Sequence, residues 1–331
     1  MSRTHTLEAW LRAHLPDGEP FTLAPASEDA SFRRYFRVTS ALGTRIVMDA
    51  PPEHEDCRPF VKVARLFGAA GVHVPAVLAE DFDNGYLLLS DLGHTTYLQA
   101  FSDADPTSLY LAANAALIRI QLSSRAGVLP EYDRALLLRE LNLFPDWYIA
   151  KHLGATLTAT QSAVLQNAFE AILANNLGQP RVYVHRDYHS RNLMVSEPNP
   201  GILDFQDAVY GPITYDLVSL YKDAYVRWDE ERIMDWLIRY WELGKKAPLP
   251  VDRDFGAFYR DFEWMGVQRH LKVLGIFARL FHRDGKDRYL QDMPLVMAYL
   301  RKACARYSEL RALDQLLDQL QGTQPDTGYS F

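Results

Sequence analysis

Cysteine is almost absent, with only Cys57 and Cys304 in 331 residues. Without a C-x-x-C pair or a Cys/His cluster, neither a disulfide framework nor a structural zinc site is expected, which suits a reducing compartment. Positive charge is also short. Lys and Arg number 35 against 42 Asp and Glu, a net charge of −7, so nothing draws the chain as a whole to nucleic acid or an anionic membrane. No apolar run approaches the ~20 residues that span a bilayer. The opening segment, 1–16, reads as an amphipathic helix with charges inside it and not as a signal peptide. Repeats, low-complexity tracts and long linkers are missing too. A 48% hydrophobic share with 23% charged residues describes an ordinary globular chain of one or two lobes. The expectation is a cytoplasmic monomer with no nucleic-acid or membrane partner.

One further absence is local: no lysine precedes Lys62. That region reads as a helix near Thr6–His14 and then strands. Phe21-Thr-Leu starts the first, Phe32–Val38 returns after a turn at 27–31, and Arg45–Met48 follows the turn Gly43-Thr44. A helix over Pro59–Ala70 presents Phe60, Val63, Ala64 and Phe67 on one face and stops at Gly71. Val77–Ala79 and Tyr86–Leu89 are two more strands around Asp83-Asn84-Gly85. After Ser90-Asp91-Leu92-Gly93 the pattern turns helical. Helices are expected from about Asp105 to Ser123, over Arg134–Ala150 with an interruption at Leu143–Tyr148, and from the capping box Thr158-x-x-Gln161 to about Asn176. Further helices follow over Glu230–Leu243, Val251–Phe281 and Tyr289–Leu320, then a frayed tail at 323–331. The aromatic stripe of the second of these, from Phe255 to Phe281, is read as core.

The chemistry concentrates in Val182–Val195 and Ile202–Asp207. Apolar runs there flank a polar loop, His185-Arg186-Asp187, with Asn192 five residues past the Asp and Asp204-Phe205 beyond it. The pattern H-R-D-x-x-x-x-N followed by D-F is that of a kinase-type phosphotransferase site. Phosphoryl transfer from ATP needs a carboxylate to orient and deprotonate the attacking hydroxyl, and oxygen ligands for Mg²⁺. Asp187 is the candidate carboxylate, and Asn192 and Asp204 are the candidate metal ligands. Two short strands near 193–195 and 202–203 would bring that pair together. The activation segment ending in A-P-E is missing, since a helix starts at Asp216 only twelve residues after Asp204. This removes the platform for a peptide substrate, and Asp216 resembles the buried aspartate that braces the catalytic-loop backbone in such kinases.

These motifs resemble the aminoglycoside/choline-type phosphotransferases. More narrowly, four stretches are similar to the bacterial anomeric sugar kinases acting on N-acetylmuramate and N-acetylglucosamine. They are Asp29-Ala-Ser-Phe-Arg-Arg-Tyr-Phe-Arg37, Met48-Asp-Ala-Pro-Pro52, Leu87-Leu-Leu-Ser-Asp-Leu-Gly93 and Trp264-Met-Gly-Val-Gln-Arg-His-Leu-Lys272. The resemblance implies an α+β, bilobal, protein-kinase-like fold. Residues 1–90 would form a nucleotide-binding lobe of antiparallel sheet and one helix, 91–93 a hinge, and 94–331 a helical lobe with the catalytic loop and sugar site. It implies ATP and Mg²⁺ as cofactors and an amino sugar as the small-molecule partner. Ser31, Phe32, Arg33 and Arg34 would meet the phosphates, and Ser90, Asp91 and Leu92 the adenine.

Met48 stands where kinases carry the phosphate-binding lysine. The family replaces that lysine as well; Arg33, Arg34 or Arg45 would supply its charge, or phosphate binding is weaker. His189 or Arg191 would offset charge on the phosphoryl group, His189 serving alternatively as a loop strut. Asp207, Tyr210, Asp146 and Tyr148 are candidate sugar ligands. The basic residues of 264–288 suit a sugar acid better than a polycation. The rival readings are an aminoglycoside or choline-type kinase and a non-catalytic nucleotide-binding module.

Overall fold

The computed structural model describes residues 3–16, 19–28 and 32–322. The chain divides into two compact units, residues 1–120 with 190–208, and residues 121–189 with 209–331.

In the first unit, helix α1 (Arg3–His14) precedes strands β1 (Thr22–Glu28), β2 (Arg34–Ser40) and β3 (Gly43–Asp49). Strand β1 runs on to Glu28, into the stretch expected to turn. Helix α2 (Arg58–Ala69), strands β4 (Val77–Asp81) and β5 (Tyr86–Ser90), and helices α3 (Tyr97–Ala100) and α4 (Pro106–Leu122) follow. The five strands form one antiparallel sheet in the order β1-β2-β3-β5-β4. Alternation along these strands buries Val38, Val47, Tyr86 and Leu88 against Leu7, Leu11 and Leu15 of the α1 region. The α1 helix is tied down at its start, where Arg3 donates to Asp49 at 2.7 Å and Thr6 Oγ1 meets Tyr86 Oη at 2.8 Å. The turn at Gly85 is forced. Its φ is +70°, and a Cβ there would lie 1.9 Å from the Ala50 carbonyl oxygen.

The second unit is mainly helical. It opens with α5 (Arg134–Leu141), a π-helical segment (Phe144–His152), α6 (Ala159–Gly178) and strand β6 (Arg181–Val184). The interruption expected at Leu143–Tyr148 divides the stretch into two pieces, because Pro145 lacks the N–H that would continue the ladder and the backbone widens there. The capping box at Thr158 and Gln161 forms as expected. The chain next makes the short ribbon β7 (Leu193–Met194) and β8 (Gly201–Ile202), which belongs to the first unit.

It returns to the second unit as β9 (Val209–Pro212), paired antiparallel with β6. Helices α7 (Tyr215–Tyr221), α8 (Glu230–Lys246), α9 (Phe255–Asp284), α10 (Met293–Arg306) and α11 (Arg311–Gln321) complete it. Helix α9 begins at Phe255, where the Asp254 side chain accepts the Ala257 N–H at 2.9 Å, and not at Val251. It is the central rod of this unit, and its stripe Phe258, Phe262, Met265, Leu271, Leu274 and Phe277 is buried. No helix among the described residues is long and apolar enough to cross a membrane. The tail 323–331 lies outside the described residues.

Candidate active site

Strand β6 delivers His185, Arg186 and Asp187 to a loop that is folded on itself. The Asp187 N–H donates to His185 Nδ1 at 3.2 Å, and the His189 N–H donates to the Asp187 carbonyl at 3.0 Å. Asp216, fully buried in the first turn of α7, accepts the N–H groups of His185 at 2.7 Å and Arg186 at 3.0 Å. Arg186 has a φ of +77°, a region that costs a side-chain-bearing residue about 1–3 kcal/mol. The two hydrogen bonds to Asp216 hold it there. Burial pushes the Asp216 carboxyl up to about 7 although both N–H donors pull it down. Asp216 is the structural brace that the sequence indicated.

Beneath the loop lies a charged network that the sequence reading did not identify. Glu140 of α5, only 4% exposed, pairs with Arg186 and with Lys272 Nζ at 3.1 Å, and accepts the Tyr132 hydroxyl. Lys272 also donates to Tyr215 Oη at 2.9 Å. Arg269 Nε donates to Ser219 Oγ at 2.7 Å, and Ser219 Oγ donates to the Arg186 carbonyl at 3.3 Å. Burial alone would raise the Glu140 carboxyl, but Lys272 and Arg186 bring it below its ordinary value.

The same cations act on Asp187. Burial raises its carboxyl, while Lys272, His189, Arg269 and Arg186 outweigh that and hold it at about 2. A carboxylate kept ionised in this way can accept a hydrogen bond from a hydroxyl and orient it. The basic residues of 264–288 therefore do not line one acid-binding wall. Lys272 and Arg269 are buried under the catalytic loop, whereas Arg283 pairs with Asp284 at the exposed end of α9.

In the first unit, the β7–β8 ribbon brings Asn192 and Asp204 side by side. The Leu203 N–H donates to the Asn192 carbonyl at 2.9 Å, and Asn192 Nδ2 lies 3.2 Å from Asp204 Oδ2. Asp204 has a φ of +61°, and Gln206 Nε2 donates to its Oδ1 at 2.7 Å. Phe205 turns inward, its ring 4.8 Å from Phe60 and 6.0 Å from Phe67 of α2. An amide and a carboxylate set together fit Mg²⁺, which accepts few protein oxygens when phosphate and water complete its octahedron.

Of the residues singled out for nucleotide contact, Arg34 and Ser90 lie on the five-stranded sheet, and Phe32, Arg33, Asp91 and Leu92 flank its strands. Phe32 is 62% exposed and stacks on His54 at 4.5 Å. Arg33 is half-buried, 3.6 Å from Glu55. Arg34 is engaged with buried Asp49. Ser90 is a strand brace, its Oγ accepting the Ala76 N–H at 2.8 Å. Asp91 takes Arg37 at 2.6 Å and its own turn's Gly93 N–H at 3.0 Å, and Leu92 is buried. Ser31 lies outside the described residues. Met48, fully buried, sits opposite Tyr35 and Leu87.

Of the remaining candidates, Asp146 and Tyr148 share the π-helical segment, and His189 and Arg191 follow β6. His189 meets the Tyr225 ring edge-on at 5.4 Å, and Arg191 is half-buried. Tyr210 belongs to β9, with the Arg181 guanidinium over its ring at 5.1 Å. Tyr148 is 6% exposed, between Phe144 at 5.1 Å and His152 at 5.5 Å. Asp146 and Asp207 are exposed.

The family profile described as the phosphotransferase enzyme family matches residues 22–258, and the chain belongs to that family. Among characterised relatives it is similar to the N-acetylmuramate/N-acetylglucosamine kinase of Pseudomonas aeruginosa. The two are 53% identical over 328 residues, covering 96% of this chain and 97% of the relative. It is 50% identical over 337 residues to the enzyme of the same name from Neisseria meningitidis serogroup B, covering the whole of both chains. The choline kinase LicA of Streptococcus pneumoniae shares the fold, with a TM-score of 0.62 at 13% identity over 92% of this chain and all of that one. A choline/ethanolamine kinase family protein of Mesorhizobium loti gives 0.60 at 15% identity, covering 95% of this chain and all of that one. The α+β, protein-kinase-like expectation holds.

Proposed function

We propose that the protein transfers the γ-phosphoryl group of ATP to the anomeric hydroxyl of N-acetylmuramate and N-acetylglucosamine. The sugar 1-phosphates would serve cell-wall recycling and UDP-sugar synthesis in the cytoplasm. The observation that carries this reading is about half identity, over nearly the full length, to kinases named for those two sugars. In this reading Asp187 orients the hydroxyl and takes its proton as the bond to phosphorus forms. In a loose transition state positioning matters more than basicity, which suits a carboxylate held near 2. Asn192 and Asp204 hold Mg²⁺, whose bound ion would neutralise charge on the phosphates. His189 and Arg191 offset charge on the transferring group.

Nucleotide recognition is assigned to residues 1–93, with the backbone of 90–92 meeting adenine. Phe32 and Arg33 are the exposed and half-buried residues of the first hairpin that meet phosphate, and Arg33 supplies charge that Met48 cannot. Asp207, Asp146 and Tyr210 remain candidates for sugar contact. Tyr148 is a weaker one, because both its ring faces are covered.

The test is ADP release from MgATP with N-acetylmuramate, N-acetylglucosamine, glucose, choline or kanamycin supplied singly. Turnover confined to the two N-acetyl sugars supports the reading. Turnover with kanamycin or choline moves the chain to the neighbouring branch of the family. Nucleotide binding without turnover on any acceptor makes it a non-catalytic module.

A further inference from the structure

The second unit holds a partly open cavity of about 200 Å³ that no role described so far uses. Its wall combines the aromatic side chains Trp228, Tyr259 and Tyr299 with the cations Lys222, Arg227 and Lys302. Asp229 and Glu230 are the acids that line it, so cations exceed carboxylates by three to two. Glu230 is already committed to Lys302 at 2.6 Å and Arg306 at 2.7 Å. The volume falls below that of pockets for drug-sized ligands, about 300–1,000 Å³, and suits one small polar molecule. Aromatic faces beside charged donors suit a sugar ring that carries an acid.

Lys222 is the buried cation of the lining. It is 8% exposed, and its ammonium has three donors to place. The contact it makes, to Glu263, is long at 3.5 Å. Glu263 also takes Arg306 at 2.7 Å and the Tyr307 hydroxyl at 2.9 Å. The ammonium otherwise lies 4.9 Å from the centre of the Phe262 ring. Burial accordingly lowers the Lys222 pKa, with Glu263 opposing. A buried ammonium held this loosely favours an anion that completes its shell.

The cavity also lies close to the chemistry along the chain. Lys222 caps α7, three residues and about 4.5 Å of helical rise beyond Ser219, whose hydroxyl bonds the Arg186 carbonyl. The segment that then carries Arg227 and Trp228 touches the catalytic loop, with Tyr225 against His189.

We propose that this cavity is the subsite for the acid group of the acceptor, with Lys222 at its floor and Arg227 at its mouth binding the carboxylate of a sugar acid such as N-acetylmuramate. The inference rests on the kinase reading above. It assigns acid recognition to the end of α7 and not to the basic residues of α9.

The experiment compares kcat/KM for N-acetylmuramate, which carries the carboxylate, and N-acetylglucosamine, which does not, in Lys222→Met, Lys222→Arg and Arg227→Gln. Loss of one charge-assisted contact is expected to lower the acid-to-neutral ratio roughly tenfold in Lys222→Met and Arg227→Gln, through KM for the acid. Lys222→Arg retains most of the preference. An unchanged ratio in both charge-removing variants overturns the proposal. Arg227 is exposed, so Arg227→Gln decides alone if Lys222→Met does not fold. Should the unsubstituted protein phosphorylate neither sugar, the kinase reading fails, and calorimetric titration with N-acetylmuramate still decides the cavity. Binding weakened about tenfold by Arg227→Gln supports the subsite; no binding, or equal binding, removes it.

Discussion

Asp216 fixes the backbone of Arg186: one carboxylate oxygen accepts that residue's N–H at 3.0 Å while the other takes the N–H of His185 at 2.7 Å. The catalytic loop thereby keeps a left-handed residue immediately before Asp187. Removing the carboxylate in Asp216→Ala orphans the buried His185 N–H, at about 1–3 kcal/mol, and the part-buried Arg186 N–H at less. Urea unfolding is expected to show that loss, with kcat falling more than KM changes. Unaltered stability and kcat would remove Asp216 from this role.

Lys272 links the buried network to Asp187. Asp187 is held below its unfolded value, so its stabilising contribution is complete above about pH 4 and is lost as pH falls towards 2. Replacing Lys272 by Met takes away the largest of the charges holding it down. The acidic limb of kcat/KM should then move to higher pH, while the unsubstituted enzyme shows no such limb from Asp187 above pH 4. A limb at the same pH in both proteins contradicts the coupling.

Glu140 is the counter-charge for Arg186 and Lys272. Its carboxyl is also lowered on folding, so its contribution is present above the ordinary glutamate range and fades on acidification through it. Glu140→Gln leaves buried Lys272 and half-buried Arg186 short of a partner, and breaking a buried pair costs up to about 3–5 kcal/mol. Thermal unfolding at pH 7 measures the loss. A gap between variant and parent that grows as pH falls below 4 would run against the assigned sign.

Helix α9 passes the start of the π-helical segment at Gly275, where a Cβ would sit 2.4 Å from the Leu143 carbonyl carbon and oxygen. Backbone cannot yield as a flexible side chain does. Gly275→Ala is expected to destabilise by at least the ~1–3 kcal/mol usual for overpacking, read as a lower unfolding midpoint. A neutral effect would mean that the two segments part easily.

The candidate motif was legible because phosphoryl-transfer chemistry would fix residue type and spacing together. Asp187, Asn192 and Asp204 stand out by the interval between loop and strand, and Asp216 by its likeness to the bracing aspartate of such kinases. The network below was not legible, since Glu140 meets Arg186 across 46 positions and Lys272 across 132. Its one local signal was a glutamate on the inward face of α5, beside Leu137 and Leu141. The same holds for the basic run on α9, where composition gave the sign of the charge and helical rotation decided which residues are buried. Pro145 marked an interruption, but whether the helix breaks or widens there depends on what packs against it.

Asp187 is proposed to direct phosphoryl transfer to an anomeric hydroxyl. Phosphorus NMR of the product from MgATP and N-acetylmuramate tests it most directly, with Asp187→Asn alongside. An acid-labile phosphate coupled to the C1 proton is expected, formed about 10²–10⁴ times more slowly by the variant. A phosphate at any other hydroxyl, or equal rates from the two proteins, would contradict it.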